Sequence, residues 1–307
     1  MRKILIATDK PFAKDAVEAI KAVAAGAGYQ LDLLEKYTEK QQLIDAVAKA
    51  EAVIIRSDII DNQVMQHAKD LKIVVRAGAG YDNVDLKSAT EHGVVVMNTP
   101  GQNSNAVAEL AFAMMLYMAR GWFDGGTGTE LRGKKIGIHA YGNVGKYVAE
   151  IAKGFSMDIY AYDPFIKDED IARDGVKPLH SAEELYKTCQ YVSLHIPANE
   201  KTKKSIGHAL LSVMPKNAVL VNTARAEVID EDGLMQAMEE RADLKYVSDI
   251  APVAAAAFAE KFGKRVYCTP KKMGAQTSEA NNNAGVAAMK QIVGFFENGD
   301  KTFQVNK

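Results

Sequence analysis

Residues 134–163 read KKIGIHAYGNVGKYVAEIAKGFSMDIYAYD. The apolar run of KKIGIHA predicts a strand, NVGKYVAEIAKGF repeats apolar residues at helical spacing, and DIYAYD predicts a second strand. Between the first two lies Ala140-Tyr141-Gly142-Asn143-Val144-Gly145, an A-x-G-x-x-G turn. In such a turn Gly142 lets the backbone approach a pyrophosphate, and Gly145 lets the helix pack closely on the strand. The helix start then offers its free N–H groups to the phosphates. Asp163 stands 21 residues after Gly142, where a carboxylate accepts hydrogen bonds from ribose hydroxyls and repels a 2′-phosphate. The unit predicts a Rossmann-type domain that binds NAD in preference to NADP. With Ala140 in place of the first glycine, a slightly altered turn with binding retained is expected.

Upstream, KILIATD, LDLLEKY, AEAVIIRSD, LKIVVRAGAG and GVVVMNTP predict strands, separated by helical patterns such as PFAKDAVEAIKAVAAGAG and EKQQLIDAVAKA. AVAELAFAMMLYMARG is apolar nearly all round and predicts a buried helix. The Gly-rich GWFDGGTGTELRGKK after it predicts a loop between domains. Downstream, QYVSLHIP, AVLVNTA, LKYVSDI and RVYC predict further strands, and SAEELYKTC opens a helix with the capping pattern Ser181-x-x-Glu184. Alternation of this kind predicts an α/β protein with two doubly wound parallel-sheet domains.

Composition sets bounds on function. The 307 residues, 48% of them hydrophobic, suffice for two cores, and 38 basic against 39 acidic residues leave a net charge of −1. That balance gives no reason to expect nucleic acid as a partner. Cys189 and Cys268 are the only cysteines, too few for a disulfide framework, and neither has a neighbour at metal-ligand spacing; no metal is expected. The N-terminus turns charged after six residues and no window reaches a membrane span, so a soluble, cytoplasmic protein is expected.

KIVVRAGAGYDNVD, VVVMNTPGQNSNAVAEL, ELRGKKIGI, VSLHIPAN, NAVLVNTARAEVIDEDGL and GAQT occur in that order. Together they resemble the D-2-hydroxyacid dehydrogenase family over nearly the whole chain, and within it the branch that acts on D-3-phosphoglycerate. The resemblance implies a flavodoxin-like substrate-binding domain of residues 1–99 and 280–307, with the NAD-binding domain, 100–279, inserted. It implies that Arg225 holds the substrate carboxylate and reacting oxygen, a task suited to a bidentate guanidinium. Asp249 matches an acid at the nicotinamide end. Ala77, Gly78, Ala79 and Gly80 match a loop whose backbone N–H groups take the substrate carboxylate, and Ile196, Thr223 and Ala224 fall where the family lines its cofactor cleft. Arg56 and Arg76, each just after a strand of the first domain, match positions that engage the phosphate of a phosphorylated 2-hydroxy acid. A homodimer is implied as well. Because the chain stops soon after the C-terminal helix, a short form without the serine-binding regulatory domain is expected.

Family members carry a histidine just before the Gly-(Gly/Ala)-Ser-Thr stretch, held by a glutamate a few residues after the Asp249 position. Here Gly274-Ala275-Gln276-Thr277 sets the register and puts Lys272 in the histidine's place, while the glutamate's place falls on about Ala254. The two departures belong together. A lysine paired with a carboxylate stays protonated, whereas a part-buried amine near Arg225 and without that acid titrates lower and can accept a proton. Lys271 is the competing candidate, since the loop is one residue longer than the usual pattern. The activity implied is oxidation of D-3-phosphoglycerate. Alternatives are reduction of glyoxylate or hydroxypyruvate on the same scaffold, or a non-catalytic NAD-sensing interaction module.

Overall fold

The computed structural model describes residues 1–306, which divide into two compact units: Met1–Asn103 with the segment from Gln276 onward, and Ser104–Ala275. The first unit contains β1 (Lys3–Thr8), β2 (Gln30–Glu35), β3 (Ala52–Ile55), β4 (Ile73–Arg76) and β5 (Val95–Asn98). All pair in parallel in the order β2-β1-β3-β4-β5, the flavodoxin-like arrangement. A parallel strand covered on both faces must be apolar at every position, and β3, Ala-Val-Ile-Ile, is buried throughout. On β1, Ile4 and Ile6 face the core shared with the helices Lys14–Gly26 and Ser278–Asn298, while Leu5 and Ala7 face the opposite core with Leu43, Ile44 and Val64. The C-terminal helix belongs to this unit because a glycine lets it come close. A Cβ at Gly285 would lie 2.7 Å from Cδ1 of Ile20.

The second unit contains β6 (Lys135–His139), β7 (Asp158–Tyr162), β8 (Lys177–Pro178), β9 (Tyr191–Leu194), β10 (Val219–Asn222), β11 (Lys245–Ser248) and β12 (Val266–Cys268). They form one parallel sheet in the order β12-β11-β10-β9-β6-β7-β8, a Rossmann-type doubly wound sheet whose strand order reverses between β6 and β9. The apolar helix Ser104–Ala119 lies in its core, burying Phe112, Met114, Met115 and Met118, with Phe112 stacked on Phe155 at 5.2 Å. Two doubly wound α/β units are the expected fold. The Gly-rich stretch after that helix falls inside the second unit and not at its edge.

Three short helices, Leu86–Glu91, Asp168–Arg173 and His208–Ser212, left no periodic signal because five or six residues make fewer than two turns. Ala255–Phe262 is also helical. Its alanines favour helix without marking a face, and only Phe258 and Phe262, one turn apart, are buried. At the expected capping box, Ser181 accepts from the Glu184 amide at 3.0 Å, but the Glu184 carboxylate reaches past the cap to the amide of His180 at 2.9 Å. No helix of the described residues is long and apolar enough to cross a membrane.

Candidate active site

In the second unit the expected site residues sit at or just beyond the C-terminal ends of the strands, the edge where parallel sheets present ligand contacts. After β6 the chain turns through Ala140 and Tyr141 into the helix Asn143–Gly154, with Gly142 at its N-cap. A Cβ on Gly142 would meet nothing within 4 Å, so open space lies before the helix start, where Asn143 is exposed and Val144 half-buried. The first N–H groups of a helix have no intrahelical acceptor, which makes this an anion-ready end. Gly145 is the opposite case. A Cβ there would lie 2.5 Å from the Ala140 carbonyl oxygen and 3.0 Å from Cγ2 of Ile138, so close packing of helix on strand requires glycine. Ala140 adopts φ +78°, the left-handed region that glycine occupies without strain. The turn therefore keeps the glycine conformation on an alanine backbone, where a slightly altered turn was expected.

Asp163, just past β7, accepts from the amides of Tyr141 and Phe165, each at 2.8 Å. A carboxylate has about four acceptor sites, so capacity for ribose hydroxyls remains. The buried Tyr141 ring is held by its hydroxyl, which donates to Asp174 at 3.0 Å; burial and that carboxylate push the phenol's pKa up. Where the strand order reverses, the His195 amide donates to the His139 carbonyl at 2.9 Å. His139 is buried, His195 is half-buried with its Nε2 shut off from water, and both sites favour the neutral ring: burial lowers His139 to about 4, and burial with the neighbouring His139 lowers His195 to about 3. The buried Nε2 of His195 has no hydrogen-bond partner among the described residues. Thr223 Oγ1 lies 3.4 Å from His195 Nδ1, and Ile196 and Ala224 are buried beside them in sequence.

Arg225 leaves β10 through a turn braced by Asn222. The Asn222 amide nitrogen donates to the Arg225 carbonyl at 3.0 Å, and its oxygen accepts from the Ala224 amide at 2.9 Å. Sequence reading missed Asn222; an Asn two to three residues before a candidate residue, the spacing of an Asx turn, was the available signal. Asp249 follows β11 and is only 2% exposed. Its carboxylate accepts from Thr269 Oγ1 at 3.0 Å and from the amides of Met273 and Gly274, each at 2.8 Å. Lys271 and Lys272 lie in that loop, and both are exposed, without the partial burial expected for Lys272. At the place of the absent glutamate, Glu231 accepts from the amides of Val253 and Ala254 at 2.8 and 3.0 Å. This acid comes from a different part of the chain and secures backbone.

In the first unit, Arg56 follows β3 and Arg76 ends β4, with Arg76 Nε donating to the Arg56 carbonyl at 3.0 Å. Arg56 is anchored more than expected of a phosphate ligand. Nη1 donates to the carbonyls of Lys10 and Pro11 at 3.2 and 3.3 Å, Nη2 to Asn281 at 2.6 Å, and the guanidinium lies 5.2 Å from the Phe12 ring centroid. The Arg76 guanidinium lies where a Cβ of residue 78 would be, 1.4 Å from Nη1, and Gly78 holds φ +155°, which side-chain-bearing residues rarely adopt. In the Ala77–Gly80 loop, the amide of Ala77 donates to Ile55 and that of Gly78 to Arg76, each at 2.8 Å. Of the four N–H groups expected to take a carboxylate, these two are already committed. Asp58, which sequence reading passed over, is buried and accepts from Tyr37 Oη at 2.6 Å and from the amides of Asp9 and Arg56 at 2.8 and 3.1 Å. Among the described residues no group of His, Cys, Asp and Glu could hold a metal ion.

Residues 104–284 match the family described as D-isomer specific 2-hydroxyacid dehydrogenase, NAD binding domain. A D-3-phosphoglycerate dehydrogenase of Methanocaldococcus jannaschii is 34% identical over 95% of this chain, and a hydroxypyruvate reductase of Thermotoga maritima is 31% identical over 86%. The chain spans 57% of the first of these relatives and 90% of the second. A solved NAD⁺-bound 3-phosphoglycerate dehydrogenase of Entamoeba histolytica matches with a TM-score of 0.89 and 46% identity, covering 100% of this chain and 99% of that one. The chain belongs to the D-isomer specific 2-hydroxyacid dehydrogenase family, and its second unit carries the NAD-binding domain of that family.

Proposed function

We propose that this protein oxidises D-3-phosphoglycerate to 3-phosphohydroxypyruvate with NAD, the entry to serine synthesis, in the cytoplasm. The observation that carries the substrate choice is the Arg56–Arg76 pair at the strand ends of the first unit, in a chain 46% identical to a 3-phosphoglycerate dehydrogenase. A fixed pair of guanidinium groups suits a dianionic phosphate, and lactate or glyoxylate has no phosphate to hold.

The cofactor fits the second unit on three counts: open space before Gly142, unpaired N–H groups at the helix start, and spare acceptor capacity on Asp163. Bound there, NAD supplies the acceptor for the hydride that leaves the substrate's C2. Arg225 takes the carboxylate and the C2 oxygen in a charge-assisted pair, which orients the carbinol and draws electron density toward the oxygen. Lys272, once it has lost its own proton, takes the hydroxyl proton as the C–O bond becomes a carbonyl. Ile196, Thr223, Ala224, Asn143 and Val144 line the cofactor's side. Ala79 and Gly80 supply the remaining loop amides to the substrate.

A second reading, hydroxypyruvate or glyoxylate reduction, is favoured by the Thermotoga relative, whose length this chain nearly spans. Steady-state rates on 3-phosphoglycerate, glycerate and lactate, and in reverse on 3-phosphohydroxypyruvate, hydroxypyruvate and glyoxylate, decide between them. A kcat/KM that favours an unphosphorylated substrate in either direction overturns the proposal. Homodimer formation is supported by the cluster of Tyr117, Trp122, Phe123 and Tyr267, from which Phe123 stands 66% exposed. Light scattering that finds a monomer of 33.4 kDa at micromolar concentration sinks it.

A further inference from the structure

The lysine loop is fastened at both ends to one buried carboxylate. At its start, Thr269 continues β12: its amide donates to the Ser248 carbonyl at 3.0 Å, and its hydroxyl lies 3.0 Å from both the carbonyl oxygen and Oδ1 of Asp249. At its end, the Met273 amide donates to Oδ1 and the Gly274 amide to Oδ2, each at 2.8 Å. Between the anchors only Pro270, Lys271 and Lys272 arch over, and proline stiffens the first of these. Gly274 is needed for the closure, because a Cβ there would lie 2.9 Å from Oδ2 of Asp249 and 3.4 Å from Cγ2 of Val107. Burying a carboxylate is unfavourable unless donors meet it, and here three donors, two of them backbone, meet it from one six-residue loop.

The anchor points are not equivalent for the two lysines. The Met273 amide belongs to the peptide unit that leaves Lys272, so the bond to Oδ1 restrains ψ of Lys272 directly. Lys271 lies one residue further from that anchor, in the middle of the arch.

We infer that Asp249 is a positioning residue: its carboxylate clamps the Thr269–Gly274 loop and so sets the orientation of Lys272. This rests on the reading of Lys272 as the proton acceptor. The clamp also demands an acid. In Asp249→Asn the side-chain NH₂ must face one of the donors, leaving a buried amide proton without an acceptor.

The test is a set of steady-state measurements on the full chain with 3-phosphoglycerate and NAD, for Asp249→Asn, Thr269→Val, Thr269→Ser, Lys272→Ala and the Asp249→Asn/Lys272→Ala double variant. Misplacing a reacting group by about 1 Å costs on the order of 10²-fold, so Asp249→Asn should lose about that in kcat with KM for NAD little changed. Thr269→Val should lose part of it and Thr269→Ser almost none, a comparison that holds even if Asp249→Asn fails to fold. The double variant should be no slower than Lys272→Ala alone, because a clamp has nothing to position once the amine is gone. A raised KM for NAD with kcat preserved would show Asp249 to be a cofactor contact and overturn the inference. Losses that multiply in the double variant, with Lys272→Ala itself impaired, overturn it too. Near-normal turnover by Lys272→Ala would instead remove the lysine assignment, and the inference with it.

Discussion

The amide of Tyr141 donates to the carboxylate of Asp163 at 2.8 Å, so the residue expected to read the ribose also holds the phosphate turn in place. Under the proposed function, recognition and turn geometry are thereby coupled. Asp163→Ala should raise KM for NAD, narrow the preference over NADP by removing the like charge that meets a 2′-phosphate, and leave the Tyr141 amide without its acceptor. The last effect should cost about 1–3 kcal/mol of stability. Comparable efficiency of the unaltered protein with NAD and NADP would contradict the assignment.

Ala140 carries the strain of that turn. At φ +78° a non-glycine residue sits about 1–2 kcal/mol above its right-handed alternative, while glycine gives back part of the difference through its freer unfolded chain. Ala140→Gly should therefore raise stability by about 0.5–1 kcal/mol, read as a higher denaturant midpoint at unchanged slope. Gly145→Ala should do the reverse by about 1–3 kcal/mol, since its Cβ is driven into the Ala140 carbonyl. No gain on Ala140→Gly would mean that the turn relaxes around alanine.

The arginines of the first unit separate by their anchorage. Arg76→Ala should lower kcat/KM for 3-phosphoglycerate by about 2–4 kcal/mol while barely changing turnover of glycerate. Arg56→Ala should damage both substrates, because it also releases the carbonyls of Lys10 and Pro11 and the Asn281 side chain. Equal losses on the two substrates for Arg76→Ala would make that residue structural.

What could be read from the chain follows the range of the interaction. β3 and β10 are apolar at nearly every position because both faces of a parallel strand are covered, and such runs are visible locally. Gly142, Gly145 and Asp163 sit at spacings dictated by one strand–turn–helix–strand unit, so their places in that unit were legible. The anchoring of Arg56 by Asn281, 225 residues away, leaves no local trace, nor does the Glu231 carboxylate under Val253 and Ala254. Asp249 could be found from its motif, but that its oxygens turn toward Met273 and Gly274 depends on how β11 and β12 lie side by side.

Acid should unfold this protein earlier than its carboxylates alone require. His139 and His195 titrate at 6.5 in an unfolded chain, but burial keeps them neutral in the folded one down to about 4 and about 3. Between pH 6.5 and 4 the unfolded state binds more protons, so the stability present above 6.5 is lost as pH falls. At about 1.4 kcal/mol per unit, His139 alone accounts for a loss on the order of 3 kcal/mol. Urea midpoints at pH 7, 6 and 5 should decline before the carboxylates begin to titrate. A midpoint that stays flat over that interval contradicts neutral buried imidazoles.

Lys272 and Lys271 differ in what holds them, and that difference sets the outcome of substituting each. Alcohol oxidation needs a base that has lost its own proton, so kcat for 3-phosphoglycerate should rise with pH through the ionisation of the amine. Lys272→Ala should cut kcat by about 10²–10⁴-fold, the range for a lost general base, with binding of NAD little changed. Lys271→Ala should be mild, because residue 271 sits in mid-arch, whereas the peptide after Lys272 is fastened to Asp249. Lys272→His should not restore the rate: an imidazole base needs a carboxylate to set its tautomer, residue 254 is alanine, and Glu231 is committed to backbone amides. A severe loss at 271 with near-normal turnover at 272 would exchange the two assignments. Near-normal turnover with both lysines replaced would hand the proton to water.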